Sequence, residues 1–435
     1  MKPHGRFFAA ALALSGLGAA AAIATPLASL WLPLAGLLMI AALVDLLVCL
    51  AITVPTIERK VPGSLSLGSW SSVRLLLQNT HAFSTIHLRA FDHYPAGFLT
   101  RDLPQEFSIG KGRFAEMVYE LCPTGRGLFQ FDGCELLLRS PLGLWWRRVR
   151  IPLQSEIRVY PNYSTIAKLL MHEADSPLAM SGVRLRRRRG QGTEFEQLRD
   201  YRDGDPLRSI DWKATARMSR LISREYQDER DQQLVFLLDS GRRMLAKDAE
   251  LSHFDHALNA MILLSYVALR HGDAVGVMTV GQGRRWLPPR KGMTAVNALL
   301  NHVYDVQPQP IEIDYLAAAT ELSVVQRRRS LIVLLTNVRE EDSDDLRAAM
   351  VLLRRRHLVV LASLRERALD DMLMKPIKRF RDALDYSATD SYLEARRESQ
   401  DLLRASGVLV EDCLCEELPA AITNQYLSIK RAGAL

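Results

Sequence analysis

Two long apolar runs open the chain and predict its attachment to a membrane. Phe7 to Ala24 has no charged residue, and Leu27 to Val54 has one, Asp45. A helix of about 20 apolar residues can cross a bilayer, so we expect each run to span it, and Thr25–Pro26 between them predicts a turn. The sequence thus predicts a transmembrane helical hairpin over residues 1–54. The alternative is that the first run is a cleaved signal peptide, which would leave the second run as the anchor.

The charges beside these runs predict on which side of the membrane the rest of the chain lies. Lys2 and Arg6 precede the first run, Arg59 and Lys60 follow the second, and the turn between them is uncharged. Basic residues that flank a span stay on the cytoplasmic side. We therefore expect an inner (plasma) membrane protein with two spans and cytoplasmic soluble domains. The five cysteines have no zinc-binding spacing, and unpaired thiols fit a reducing compartment.

Short runs of alternating apolar and polar residues follow from residue 55 to residue 163. Glycine, proline, asparagine and aspartate punctuate them, which is typical of a β-sandwich. The predicted strands are Ser72–Gln78, Ile86–Phe91, Arg113–Tyr119, Phe129–Phe131, Glu135–Arg139 and Ile157–Tyr160. No titratable cluster or glycine-rich loop indicates chemistry in this domain.

From residue 233 to residue 435, continuous apolar strands alternate with longer helices. Strands that are apolar on both faces predict a parallel sheet covered by helices on both sides, an α/β fold of the Rossmann type. The predicted strands are Gln233–Asp239, Ala274–Val280, Leu331–Thr336, Leu358–Ala362 and Val408–Val410, and the predicted helices are 253–269, 294–304, 315–326, 342–355, 391–405 and 418–430. Ligands of such sheets bind at the carboxyl ends of the strands, where Asp239, Thr336 and Asn337 lie.

Residues 164–232 connect these two domains and include a basic run, Val183–Gly190. They contain the residues 192–217, which we call the strap: acidic, basic and aromatic side chains around a Gly-Asp-Pro turn. One interpretation is an internal salt-bridge clasp with Tyr201 and Trp212 as packing anchors; the other is a docking surface for a partner, since Arg and Trp dominate many interfaces. The candidate residues are Arg199, Tyr201, Gly204, Asp205, Arg208, Asp211, Trp212, Lys213 and Arg217.

The strap is similar to the signature of the bacterial family known as domain of unknown function 58. That signature reads Arg-x-Tyr-x-x-Gly-Asp-x-x-Arg-x-Ile-Asp-Trp-Lys, and the matching residues run from Arg199 to Lys213. The resemblance implies a membrane hairpin, a β-rich middle and a von Willebrand factor A-like domain. It also implies a partnership with a MoxR-type AAA+ ATPase in the assembly or maturation of envelope complexes. No catalytic activity is established for the family.

The loop after the first strand of the α/β domain resembles the metal-binding loop of von Willebrand factor A domains, Asp-x-Ser-x-Ser. Asp239 matches the aspartate, but Gly241 and Arg243 replace the two serines. Thr294 stands where the family has a ligand threonine, and Asn337 replaces the last aspartate. Mg²⁺ requires nearly octahedral oxygen ligation, so we expect no metal and no cofactor, with Mg²⁺ binding as the alternative.

Arg243 suggests what replaces the missing ion. Its guanidinium could supply the positive charge, paired with Asp239 or with an acidic residue of a partner. The alternative is that Arg242 and Arg243 are simply exposed where the loop meets a helix.

Net charge and the distribution of reactive residues argue against some classes of function. The formal charge is +7 and the pI about 9.2, which favours anionic partners, but no stacking aromatics or helix-turn-helix pattern indicates nucleic-acid binding. No nucleophile accompanies a histidine and a carboxylate, so we expect no enzyme. The sequence predicts a membrane-anchored adaptor. The alternatives are a Mg²⁺-dependent adhesion module, a cell-envelope hydrolase, and a lipid-binding role for Arg184–Arg189.

Overall fold

A computed structural model describes residues 1–23, 25–80, 85–162, 194–202, 209–227, 232–281 and 283–434. The chain divides into two units, Met1–Tyr160 and Pro161–Leu435. The basic run that contains Arg184–Arg189 lies outside the described residues.

Two apolar helices begin the first unit: α1, Gly5–Ile23, and α2, Thr25–Ala51. Among the described residues, one helical stretch, Trp31–Ala51, is long and apolar enough to cross a membrane, and Gly5–Ala19 is a shorter apolar helix. The Trp31 indole Nε1 donates a hydrogen bond to the carbonyl oxygen of Leu14 at 3.0 Å. Each helix is therefore held against the other by a polar contact as well as by its apolar surface.

Asp45, the acidic residue within α2, is bound by the β-rich part of the same unit. Its carboxylate accepts hydrogen bonds from the Ser140 hydroxyl at 2.6 Å and from the Leu142 and Leu144 backbone N–H groups at 2.9 and 3.2 Å. The Trp145 indole donates to the carbonyl oxygen of Ala42 at 2.9 Å. These partners compensate the carboxylate for its burial, so Asp45 attaches the end of α2 to the turn at 140–144.

Two sheets form the β-rich part of the first unit. One has the order β1-β10-β9-β5-β7 with β3 beside β10, and the other has the order β2-β4-β8-β6. The strands are β1 Lys2–Pro3, β2 Thr56–Lys60, β3 Ser64–Ser66, β4 Ser71–Gln78, β5 Ile86–His93, β6 Phe98–Arg101, β7 Gln105–Ile109, β8 Phe114–Pro123, β9 Gly127–Arg139 and β10 Trp145–Tyr160. Buried and exposed side chains alternate along most of them, as expected when one face of an antiparallel sheet is buried.

A buried ion pair joins the two sheets. Arg59 on β2 pairs with Asp92 on β5, and both side chains are fully buried. Asp92 also accepts a hydrogen bond from the Tyr119 hydroxyl of β8 at 2.6 Å, and the Arg59 guanidinium lies 4.5 Å from the centre of the Phe131 ring. Because both charges have partners, the pair can be buried without leaving an unpaired ion.

The second unit contains a six-stranded sheet with the order β17-β16-β13-β18-β19-β20. Its neighbouring strands are parallel except for the antiparallel edge strand β17. The strands of this unit are β11 Glu194–Asp200, β12 Ile222–Gln227, β13 Gln233–Asp239, β14 Lys247–Asp248, β15 Leu251–Ser252, β16 Ala274–Val280, β17 Arg285–Arg290, β18 Leu331–Thr336, β19 Leu358–Arg365 and β20 Leu409–Leu414. The α-helices are α3 Trp212–Met218, α4 His253–Arg270, α5 Thr294–Val303, α6 Tyr315–Val325, α7 Ser343–Arg354, α8 Arg367–Met374, α9 Phe380–Ala405 and α10 Leu418–Ala432.

Helices cover both faces of this sheet. Leu234, Phe236 and Leu238 of β13 pack in one core with α4, α5 and α10. Val235 and Leu237 of the same strand point to a second core with α6, α7 and the end of α9. Burial on both faces explains why the strand is apolar throughout rather than alternating.

The structure has the architecture expected in outline: an apolar N-terminal helix, a β-rich region, and a C-terminal region of sheet and helices. Several elements differ from the prediction: strands β2, β3, β6, β7, β11 and β12 and helices α3 and α8 were not predicted, the predicted strands Phe129–Phe131 and Glu135–Arg139 are parts of one strand, β9, and β10 begins at Trp145 rather than at Ile157. The edge strand Arg285–Arg290 was not predicted, and helix α9 begins at Phe380 rather than at Ser391. Both have many polar residues, because each lies at the surface and buries only part of its length.

Candidate functional site

Asp239 lies at the carboxyl end of the central strand β13, with 1% of its surface exposed. One carboxylate oxygen accepts a hydrogen bond from the Gly241 backbone N–H at 2.7 Å. The other accepts from the Tyr315 hydroxyl at 2.8 Å and from the Thr336 hydroxyl at 2.5 Å. Both oxygens are thus occupied by donors of the chain itself.

The environment of this site raises the pKa of Asp239 and of Tyr315. Burial raises the pKa of Asp239, and the hydrogen bonds from Thr336, Gly241 and Tyr315 act against that rise. Burial also raises the pKa of Tyr315, and the neighbouring Asp239 charge raises it further. Tyr315 therefore stays protonated and remains a donor to the carboxylate.

The segment 309–313 lies directly over the loop that follows Asp239. The Arg242 N–H donates to the carbonyl oxygen of Ile311 at 2.9 Å, and the Gln309 N–H donates to that of Ser240 at 2.9 Å. A Cβ atom built on Gly241 would stand 2.6 Å from Ile313 Cγ1 and 2.9 Å from the Ile311 carbonyl oxygen. The pocket beside Asp239 has about 10 Å³ of water-sized space, roughly enough for one water molecule.

These contacts do not fit the Mg²⁺ site of von Willebrand factor A domains. A serine at position 241 would collide with residues 311 and 313, and the oxygens of Asp239 already have three donors. A hydrated Mg²⁺ needs six oxygen ligands, which this pocket has no space for. Throughout the described ranges, no group of three or more His, Cys, Asp or Glu side chains is placed to hold a metal ion.

Arg243 is buried, with 7% of its side chain exposed, and pairs with acidic residues of its own chain. Its guanidinium lies 2.9 Å from the Glu341 carboxylate and contacts that of Asp342 through Nε. The hydrogen bond from Arg243 lowers the pKa of Glu341. The predicted pair with Asp239 is therefore not formed, and Arg243 pairs with Glu341 and Asp342 of its own chain.

Arg242 extends this ion-paired group to the surface. Its guanidinium lies 2.9 Å from Glu312 and 3.4 Å from Glu341, and all three side chains are largely exposed. The expectation of a simply exposed pair of arginines thus fits Arg242 but not Arg243. An exposed, mixed-charge edge therefore lies beside the Asp239 pocket, which Arg242, Arg243 and Glu312 help to line.

Asn337 follows β18 and belongs to a second polar cluster centred on Arg396. Its side-chain oxygen accepts from Arg396 at 2.8 Å, and its amide donates to Glu366 at 2.8 Å. Arg396 is 2% exposed and also donates to the Ser363 hydroxyl, to two backbone carbonyls and to Asp412, which lies 2.7 Å away. This arginine joins the ends of three neighbouring strands.

Thr294 is not part of either cluster in the described structure. It begins helix α5 with an exposed side chain. The hydroxyls that reach Asp239 belong to Thr336, which lies at the end of the neighbouring strand, and to Tyr315, which sequence reasoning missed. No pattern in the sequence links Tyr315, 76 residues downstream, to Asp239.

The strap begins with strand β11, which pairs with β12 in an antiparallel ribbon. The backbone of Arg199 lies in this ribbon opposite Ser223. Gly204, Asp205 and Arg208 lie outside the described residues. Tyr201 is half-buried, and its N–H donates to the carbonyl oxygen of Leu221 at 2.9 Å.

Asp211 organises the second half of the strap. Its carboxylate caps α3 by accepting from the backbone N–H groups of Lys213 and Ala214, both at 3.0 Å, and pairs with Arg224 at 2.9 Å. The backbone hydrogen bond from Ala214, followed by the Arg224 contact, lowers the pKa of Asp211. A second ion pair, at 3.2 Å, joins Asp200 to Arg220. The strap is therefore ion-paired, but to arginines that follow it.

Trp212 begins α3 and exposes 67% of its surface. It is therefore not the packing anchor that the clasp interpretation requires. Lys213, Arg217 and Met218, which lie on the same helix, are also exposed, as is Leu221 beyond it. The strap thus presents an aromatic ring, basic groups and aliphatic side chains together at the surface.

Comparisons with known proteins bear on the same stretch of chain. The model of the family described as "Protein of unknown function DUF58" matches residues 197–375. The uncharacterized protein YeaD of Bacillus subtilis is 24% identical over 193 residues, which cover 44% of this chain and 46% of YeaD. The aligned part is thus less than half of either protein.

Solved structures give only weak likenesses. The CARDB domain of a Pyrococcus furiosus protein, in complex with di-metal ions, has 14% identity and a TM-score of 0.17 and covers 25% of this chain and 90% of its own. A cohesin module from a Clostridium perfringens family 33 glycoside hydrolase has 16% identity and a TM-score of 0.20, with coverage of 25% and 97%. TM-scores this low define neither fold nor activity. The match over residues 197–375 and the relationship to YeaD identify this part of the chain as a DUF58 domain.

Proposed function

We propose that this protein is a membrane-anchored adaptor that binds protein partners through its C-terminal unit and carries out no catalysis itself. The closed environment of Asp239 supports contact rather than metal chemistry. We assign residues 233–435 a von Willebrand factor A-like fold, supported by the order β17-β16-β13-β18-β19-β20 with one antiparallel edge. We assign residues 55–163 a β-sandwich, supported by two sheets that share the Arg59–Asp92 pair.

The anchor in this proposal is a helical hairpin with both ends in the cytoplasm. Lys2 and Pro3 pair with Trp146 and Trp145 of β10, while Asp45 near the end of α2 binds the turn just before β10. The start of α1 and the end of α2 therefore meet the same part of the β-rich region. That arrangement supports an even number of crossings, and the flanking basic residues favour the cytoplasmic side.

The exposed Trp212 is the observation that carries the proposed partner contact. A tryptophan gains much by burial, and Trp and Arg are enriched among the residues that dominate interfaces. Asp211 and its bonds to α3 and Arg224 fix the helix on which Trp212 stands. Because the helix is ordered in advance, a partner would bind the indole with little additional ordering cost.

A MoxR-type AAA+ ATPase is the partner that we propose, with envelope complexes as clients. This choice rests on the family resemblance, not on a contact. The mixed-charge edge formed by Arg242, Glu312 and Glu341 offers a second surface for orienting such a partner.

Binding of the full-length protein in detergent to a purified MoxR-type ATPase tests the proposal. Trp212→Ala is expected to weaken binding at least tenfold, since hot-spot residues contribute about 2 kcal/mol or more. Phe114→Ala is the matched control, because Phe114 is 76% exposed but lies on the β-rich unit. Equal affinity of the wild type and the Trp212→Ala variant, or equal losses in both variants, would contradict the proposed contact.

A further inference from the structure

The connection between helices α8 and α9 exposes a mixed apolar and basic surface. Met374 and Phe380 are 82% and 80% exposed, and Ile377 and Leu384 are more than half exposed. Every residue from Met374 to Arg381 is exposed. Single exposed apolar residues are ordinary in soluble proteins, but a contiguous group of this kind marks an interaction site. We call residues 372–384 the α8–α9 surface.

Basic side chains alternate with these apolar ones. Within residues 372–384 there are four basic residues, Lys375, Lys378, Arg379 and Arg381, and one acidic residue, Asp382, so the formal charge of the surface is +3. The Asp382 carboxylate is engaged by the backbone, accepting from the N–H groups of Lys378 and Arg379 at 3.0 and 2.8 Å. These bonds hold the turn before α9 in a defined shape.

The geometry points to an anionic lipid surface as the occupant of the α8–α9 surface, and we infer that it binds the membrane in which the chain is anchored. Apolar side chains that enter the interface and cations that meet lipid headgroups are the two features of interfacial membrane binding. The helix Trp31–Ala51 is long and apolar enough to tether the chain to a bilayer. Because the chain is tethered to the bilayer, the α8–α9 surface meets lipid at a high effective concentration. A modest intrinsic affinity for lipid is therefore enough to keep the surface bound.

Charge distinguishes this occupant from a second copy of the chain. Two copies meeting at this surface would bring together +3 and +3, which repel one another. An anionic bilayer instead attracts the basic residues. Each of them raises the membrane partition coefficient about fivefold, which corresponds to roughly 1 kcal/mol. Reversing two of the charges is therefore expected to reduce occupancy by at least tenfold.

The test uses the full chain reconstituted into vesicles, with an environment-sensitive fluorophore on Phe380→Cys. The five native cysteines are buried, so an exposed new cysteine can be labelled selectively. Val324→Cys on α6, at a residue that is 63% exposed, is the matched label site outside the surface. Vesicles of phosphatidylcholine are compared with vesicles that also contain phosphatidylglycerol, and a lipid-borne quencher reports contact with the bilayer.

In vesicles that contain phosphatidylglycerol, the label at 380 is expected to shift to the blue and to be quenched from the lipid, whereas the label at 324 should do neither. Lys378→Glu with Arg379→Glu should abolish both signals, whereas Arg397→Glu, an exposed charge further along α9, should not. A label at 380 that stays in water in both vesicles would overturn the inference. So would burial that depends on protein concentration without lipid quenching, or equal signals in neutral and anionic vesicles.

Discussion

Replacing Gly241 by serine restores one ligand of the von Willebrand factor A motif, yet we expect it to destabilise the protein and to create no magnesium site. The new Cβ would stand 2.6 Å from Ile313 Cγ1 and 2.9 Å from the carbonyl oxygen of Ile311. That carbonyl is held in place because it accepts the Arg242 N–H at 2.9 Å. The backbone of 311–313 must therefore move to admit the side chain.

The structure allows the size of this effect to be estimated. Inserting atoms into a well-packed region costs about 1–3 kcal/mol. For a unit of this size, each kcal/mol lowers Tm by about 2–4 °C, so the expected fall is roughly 2–12 °C. A functional metal site would act in the opposite direction, adding about 2.7 kcal/mol at a Mg²⁺ concentration 100 times Kd.

Calorimetric melting of the detergent-solubilised chain, with and without Mg²⁺, measures both effects. Gly63→Ser is the matched control, because a Cβ at Gly63 meets nothing within 4 Å, and surface changes of this kind stay within about 0.5 kcal/mol. The reasoning would be refuted if Gly241→Ser left Tm unchanged, or if Mg²⁺ raised the Tm of that variant by several degrees.

Arg396→Met leaves Asp412 without its buried partner and should lower the free energy of unfolding, measured by chemical denaturation, by about 3–5 kcal/mol. Arg397→Met, at the exposed neighbouring position, should lower it by less than about 0.5 kcal/mol. Equal effects of the two variants would contradict the assigned contacts. Asp239→Ala strips the acceptor from three donors and should lower the free energy of unfolding by more than Asp239→Asn, which keeps one acceptor oxygen; the opposite order would be inconsistent with the hydrogen bonds. Burial raises the pKa of Cys413 and Cys415 to about 12, so at pH 8 roughly one thiol in ten thousand is a thiolate. Mass spectrometry should find both cysteines unmodified by maleimide in the folded protein and modified in denaturant. Rapid labelling of the folded state would disprove this.

The central strands of the α/β unit were predictable because burial on both faces leaves a continuous apolar run. Gln233–Asp239 and Ala274–Val280 were predicted with the observed bounds. The edge strand Arg285–Arg290 escaped prediction because it contains two prolines and exposes three of its six residues, so that it is neither continuously apolar nor alternating. Prolines are tolerated there since an edge strand lacks a partner on one side.

The contacts of the candidate site were less predictable than its location. Asp239 was expected at the carboxyl end of a strand. Its partner Tyr315 lies on helix α6, and only the folded chain brings this helix close to Asp239. Arg396 and Arg397 are adjacent and chemically identical, yet one is buried in hydrogen bonds and the other exposed. Only the three-dimensional arrangement of strand ends distinguishes them.

The strap illustrates a different limit of sequence reasoning. Its mixture of charges predicts ion pairs within the strap, whereas the described pairs of Asp200 and Asp211 are with Arg220 and Arg224, which follow the strap. The clasp interpretation requires Trp212 as a packing anchor, and its exposure of 67% excludes that role within the described chain. A large aromatic residue indicates burial somewhere, and sequence alone does not say whether a core or a partner provides it.

Photo-crosslinking from position 212 in native membranes tests most directly whether the strap binds a protein partner. A photoreactive amino acid replaces Trp212 in one variant and Phe114 in a control variant, and mass spectrometry identifies the crosslinked proteins. The adaptor function predicts that position 212, but not position 114, yields a discrete product containing a MoxR-type AAA+ ATPase. Absence of any protein product at 212, or the same products at both positions, would contradict it.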